Sequence, residues 1–187
     1  MRKLVVRTER FETARPFVIA RGTKTHVDVL VAEIHDGPVI GRGEGTPIYY
    51  RGDSIDQALA LGETVRDAVG AGASRAELID LLPPGAARNA IDSALWDLEA
   101  KRAGKRVWEL AGLPAPRPML TAFTISLGDP GSMAEATRAA AGRELLKLKL
   151  GGEGDAERVA AVRAAAPHAR LIADANESWK DIDIEWM

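Results

Sequence analysis

The first forty residues read as antiparallel sheet, with short apolar, β-branched runs set between polar and turn residues. Residues 4–8 and the β-branched stretch 27–34 read as strands, Asp36-Gly37 supplies a turn, and residues 38–41 start a return strand, so an antiparallel meander is expected. Residues 17–24 and 43–52 read as two loops, either ordinary surface connections or, with arginines and aromatics at glycine hinges such as Gly43 and Gly45, a lid that grips an anion. The period then becomes helical. Asp53 or Ser54 caps a helix running to about Gly70, Ser74 and Glu77 have capping-box spacing, and residues 83–85 break the chain. From Ala86 to Ala103 an apolar stripe of Ala90, Ile91, Ala94, Leu95 and Leu98 predicts a helix ended by Gly104, and residues 107–110 close this part.

After the proline-rich segment 113–118 the pattern changes again. Residues 119–127 predict a strand, Asp129-Pro130 starts a helix reaching Gly142, and 145–150 forms a second strand. Asp155 is suited to cap a helix that Pro167 stops, and the run 171–176 repeats the strand plan. The order βαβαβ points to a parallel sheet.

The segment 145–150 carries the most chemistry. Side chains alternate across a strand, so Lys147 and Lys149 share one face and the leucines the other. A half-exposed antiparallel strand has the same pattern. The βαβ context argues instead for a strand covered on both faces, in which lysine needs a reason. If 145–150 and 171–176 are neighbouring parallel strands, Lys149 and Asp174 meet near carboxyl ends, where α/β sheets place their sites.

Composition narrows the partners. The 187 residues carry a formal charge of −2 with mixed signs, so neither nucleic acid nor an anionic membrane surface is indicated, and small molecules are the expected ligands. No cysteine is present, which removes disulfides, thiolate nucleophiles and cysteine-held zinc. Charged residues recur from Arg2 to Glu12 and no run approaches the ~20 apolar residues of a membrane span, so a cytoplasmic location is expected.

The motif 87–98 (ARNAIDSALWDL), the Lys147-Leu148-Lys149 triplet and Asp174-Ala175-Asn176 together resemble the muconate-lactonising subgroup of the enolase superfamily. Residues 17–23, Gly43-Glu44, 50–52 and 121–125 are most similar to its dipeptide epimerases. The resemblance implies an α+β capping domain (1–113) followed by an incomplete β/α (TIM-like) barrel (114–187) and an isomerase acting on a dipeptide. By the family pattern Lys149 is an acid/base, Lys147 its helper, Asp174 a Mg²⁺ ligand, and Arg21, Tyr50, Thr124 and Asn176 contact substrate. A muconate cycloisomerase, an o-succinylbenzoate synthase or a non-enzymatic interaction module are the other readings, and a homo-oligomer is compatible with all of them.

Related enzymes take two further acidic ligands and a second lysine from later strands. A full barrel needs ~250 residues, whereas roughly 70 follow the linker here, so a truncated, inactive form that binds Mg²⁺ weakly is the expectation. Asp181, Asp183 and Glu185 of the tail are read as a solvated segment rather than as substitute ligands.

Overall fold

A computed structural model describes residues 2–179. The chain divides into two compact units, one made of residues 1–12 and 26–116, the other of 13–25 and 117–187. Among the described residues no helix is long and apolar enough to cross a membrane.

A three-stranded sheet has the order β1 (Lys3–Ile19), β2 (Gly22–Asp36) and β3 (Val39–Gly45), and the first unit is built on β3 with the parts of β1 and β2 outside residues 13–25. Gly37, at a φ of 61°, makes the expected turn, and β2 and β3 pair antiparallel from Asp36↔Val39 to Leu30↔Gly45. The short helix α1 (Ile55–Thr64) begins with a capping box between Ser54 and Gln57, and α3 (Arg75–Leu81) with one between Ser74 and Glu77. The helix expected to reach Gly70 is interrupted. Val65 turns into the core at φ −101° and ψ 5°, and α2 (Arg66–Ala71) restarts beyond it.

Helix α4 (Ala86–Ala103) packs on β3 at very close range. A Cβ on Gly41, Gly43 or Gly45 would fall 2.2, 2.0 or 2.1 Å from the carbonyl oxygens of Ala94, Ala90 and Ala86. The spacing has a geometric origin: two strand residues advance about 6.6 Å and four helix residues about 6.0 Å, so glycines every second position track helix residues every fourth. Side chains of α4 also satisfy the outer edge of β3. Lys101 Nζ donates to Ile40 O (2.8 Å), Arg42 N to Asp97 Oδ2 (2.7 Å) and Asn89 Nδ2 to Glu44 O (2.9 Å). The apolar stripe of α4 faces Leu4, Leu30, Ile34 and Leu78, and α5 (Val107–Leu110) follows.

Two expectations for this region are corrected. Residues 17–24 are not a loop: β1 and β2 run through them as a hairpin with a two-residue turn at Ala20-Arg21, because β-branched Val18, Ile19, Thr23 and Thr25 hold the chain extended. Gly43 and Gly45 are not hinges but strand residues beneath α4, and only the segment after them is irregular, with a 3₁₀ turn at Tyr49–Arg51.

The second unit is a parallel sheet of order β4 (Phe123–Ile125), β5 (Leu145–Lys149) and β6 (Arg170–Asp174), linked by α6 (Pro130–Ala139) and α7 (Asp155–Ala165). Asp129 caps α6 by accepting from Ser132 N, with Pro130 in the first helical position. Ile125, Leu146, Leu148 and Leu150 bury one face of the sheet with Met133 of α6 and Val162 of α7. The hairpin tip belongs to this unit, and Leu127 N donates to Val18 O (3.1 Å).

Again two expectations change. The strand foreseen over 119–127 is reduced to Phe123–Ile125, and residues 119–122 ahead of it are irregular, next to Pro118, which has no backbone N–H to give a ladder. Asp155 does not cap α7. Gly154, in the left-handed region at φ 78°, occupies that position, and the Asp155 carboxylate turns inward.

Candidate active site

Strand pairing brings the chemistry of the second unit to one end of its sheet. The parallel register sets Lys149 opposite Asp174, and Lys147 between Thr124 and Ile172. Paired residues on parallel strands share a face, so Thr124, Lys147, Lys149 and Asp174 lie on the face opposite the leucines. Lys149 Nζ donates to Asp174 Oδ2 (2.7 Å) and to Asn176 Oδ1 (3.0 Å), and lies 5.7 Å from the centroid of the Phe17 ring. It is only 7% exposed. Lys147 Nζ reaches the same Asp174 oxygen at 2.8 Å from a half-exposed position. The lysine pair therefore has a partner for its charge.

Asn176 enters through backbone geometry. At φ 48° it turns the chain back after β6, and its own N–H donates to Asp174 Oδ1 (3.1 Å). Asparagine is among the few residues that accept this left-handed region readily. Hydrogen bonds from Lys147, then Lys149, hold the Asp174 carboxyl far below its ordinary value, against the opposing effect of burial. The carboxylate is ionised across the physiological range.

The remaining expected site residues fall in different places. Arg21, at the hairpin turn, pairs with Glu177, the residue after Asn176 and another at positive φ. Thr124 sits beside Lys147 in register. Tyr50 belongs to the first unit, where it stacks edge-on with Tyr49 at 5.4 Å. Asp181, Asp183 and Glu185 lie outside the described residues.

Sequence reasoning passed over Glu177 and the network around Asp155. The Asp155 carboxylate accepts from Gly151 N (3.1 Å), Gly152 N (2.7 Å), Arg158 Nη1 (2.8 Å) and Trp179 Nε1 (2.7 Å). Burial raises its pKa, but the bonds from Trp179, the two glycines and Arg158 outweigh that effect and the net shift is downward. An aspartate at a helix start looks like a cap in sequence, and only the positive φ of Gly154 tells the two apart.

Oxygen donors of this kind suit a hard divalent cation. Asp174 Oδ1 and Asn176 Oδ1 each keep acceptor capacity beyond the bonds they make, which fits part of an octahedral oxygen shell. Among the described residues, no group of three His, Cys, Asp or Glu side chains is gathered to complete it.

In chain order an α+β unit is followed by parallel β/α repeats that carry lysines and a carboxylate at the carboxyl ends of their strands, the end at which β/α barrels place their sites. Residues 1–112 match the model of the mandelate racemase / muconate lactonizing enzyme N-terminal domain, and the chain belongs to that family of the enolase superfamily. It is 42% identical over 182 residues to the L-Ala-D/L-Glu epimerase of Escherichia coli strain K12, covering 96% of this chain and 57% of the relative. An enolase family member from Agrobacterium tumefaciens with homology to dipeptide epimerases, holding sodium and L-Ala-L-Glu, superposes with a TM-score of 0.93 at 52% identity over 100% of this chain and 57% of its own. The dipeptide epimerase of Enterococcus faecalis, complexed with Mg and L-Leu-L-Tyr, gives 0.84 at 28% identity, over 95% of this chain and 54% of its own. The chain thus spans little more than half the length of these relatives. Its fold is an α+β capping domain followed by the first three strands of an incomplete β/α barrel.

Proposed function

We propose that the chain carries the first half of a dipeptide epimerase site, in which Lys149 exchanges a proton with the carbon next to a carboxylate. The observation that carries this reading is the placement of Lys149, buried at a strand's carboxyl end with its ammonium held by Asp174 and Asn176. Such an amine serves as an acid when protonated and as a base once it has released its proton. Lys147, on the same face, places a second cation beside the position where negative charge develops as the α-proton leaves. Thr124 and Arg21 are the groups proposed to orient the substrate.

Mg²⁺ bound by relatives is the cation proposed for Asp174, with Asn176 beside it. When bound, it would supply positive charge to the oxygens of an enediolate. The chain's own residues bind and orient the carboxylate and move one proton at Lys149 Nζ.

Two bases are needed to invert a carbon, one on each face, and the described residues provide lysine at one end of one strand. Deuterium exchange therefore tests the reading more directly than epimerisation. The chain incubated with L-Ala-L-Glu and Mg²⁺ in D₂O is expected to exchange the α-proton of the glutamyl residue slowly with retention of configuration, and Lys149→Ala is expected to abolish this. Equal exchange by parent and variant, or none by the parent at saturating dipeptide, would overturn it.

A further inference from the structure

The geometry assigns Asp155 and Arg158 a positioning role: together they clamp the three loops that follow β4, β5 and β6, and so set where Lys149 stands relative to Asp174 and Asn176. This rests on the reading of Lys149 as the acid/base, although the clamp itself is defined by geometry alone. Asp155 is buried, at 2% exposure, and touches neither Lys149 nor Asp174. Its carboxylate receives the amides of Gly151 and Gly152, immediately beyond the strand that ends at Lys149. It also receives the indole N–H of Trp179, three residues beyond Asn176. Arg158, ion-paired to Asp155 at 2.8 Å, extends the tie to the remaining loop by donating from Nε to Gly128 O (2.8 Å), and its Nη1 adds a bond to Glu153 O (2.6 Å) in the loop after β5.

One ion pair, with its carboxylate buried and its guanidinium partly exposed, thus meets the loops after all three parallel strands. The strands alone do not impose this. Leu150 N donates to Asp174 O (3.0 Å), and Asn176 lies past this bond in a turn whose next residue, Glu177 at φ 63°, is in a region a glutamate disfavours without external support. Trp179, packed partly against the unit's core, provides that support only while Asp155 receives its N–H. A carboxylate suits this place better than an amide because every group aimed at it is a donor.

Nuclear magnetic resonance of the whole chain tests the assignment without relying on turnover. The ammonium of Lys149, held by two acceptors and buried, is expected to give a slowly exchanging ¹H–¹⁵N signal, and the Trp179 indole a downfield one. Asp155→Asn should remove the indole shift and speed exchange of the Lys149 ammonium and of the Leu150, Gly151 and Gly152 amides at least tenfold, while mid-strand amides such as Leu148 stay slow. Val162→Ala, which loosens the same core without touching the clamp, should leave the Lys149 signal in place. Trp179→Phe keeps the Asp155–Arg158 ion pair intact and cuts only the tie to the β6 loop, so it decides the matter if Asp155→Asn does not fold: faster Lys149 exchange supports the clamp. An unchanged Lys149 signal in Trp179→Phe, or equal loss in Val162→Ala, would overturn it. Dipeptide exchange that fails while these signals behave as described would reject the proposed reaction and leave the clamp standing.

Discussion

Lys149 and Asp174 occupy paired positions on adjacent parallel strands, and their side chains meet at 2.7 Å. A second lysine, Lys147, reaches the same oxygen from two residues earlier. Two cations on one carboxylate make Asp174 the electrostatic centre of the site, and its removal should be felt in both stability and pH response.

Asp174→Asn should destabilise the second unit by about 1.5–3 kcal/mol near neutral pH, the range for hydrogen bonds to charged groups. The sign of the pH effect follows from the depressed pKa. Stability from Asp174 is fully present above its ordinary value of 3.8 and lost as pH falls through the lower folded value. The variant should therefore show a shallower acid limb than the parent. Asp155, also shifted downward, keeps part of that limb in both proteins. Urea titrations at pH 7 and at pH 3 check this, and parallel acid limbs would count against it.

Gly43→Ala should cost more than about 3 kcal/mol, because the new methyl would lie 2.0 Å from Ala90 O and 2.5 Å from Ala94 N. Both obstacles are helix backbone, which cannot rotate aside. Gly37→Ala meets no atom within 4 Å and bears only the left-handed φ of 61°, so about 1 kcal/mol is expected. Thermal melts of the two variants should separate them clearly.

These glycines show what was legible in the sequence and what was not. Local signals were readable: a cap at Asp53 or Ser54, the capping box at Ser74, the turn at Gly37, the bounds of α4 and the βαβαβ order all rest on contacts a few residues apart. That Lys149 and Asp174 lie near the carboxyl ends of neighbouring parallel strands was readable as well, because a parallel pair joined by one helix has few arrangements, whereas their direct pairing in register came from the structure. Gly43 and Gly45 looked like hinges because their real partner, α4, lies some forty residues away in sequence. Asp155 was misread for a similar reason: its donors come from Trp179 and Arg158 as well as the adjacent loop, and a helix-start aspartate carries no sign of which way it will turn.

Mg²⁺ should bind the chain weakly, in the millimolar range or above. A magnesium ion prefers near-octahedral oxygen ligands. At Asp174 it would compete with two ammonium groups already 2.7 and 2.8 Å away. Binding should strengthen when a dipeptide carboxylate is present and vanish in Asp174→Asn. Calorimetry with and without L-Ala-L-Glu measures both effects, and micromolar affinity in the absence of dipeptide would contradict the prediction.

The two lysines should separate kinetically under the proposed reaction. Lys149 is buried between Phe17, Asp174 and Asn176, whereas Lys147 is half exposed and shares only the carboxylate. Lys149→Ala removes the group that moves the proton and should lower the α-proton exchange rate of bound dipeptide by about 10²-fold or more. Lys147→Ala removes a cation screened by solvent, and it should chiefly weaken dipeptide binding, by about tenfold, the equivalent of about 1.4 kcal/mol. Measuring exchange in D₂O across a range of dipeptide concentrations distinguishes rate from affinity. If Lys147→Ala instead lowered the saturated rate as far as Lys149→Ala does, proton transfer would belong to the pair and not to Lys149.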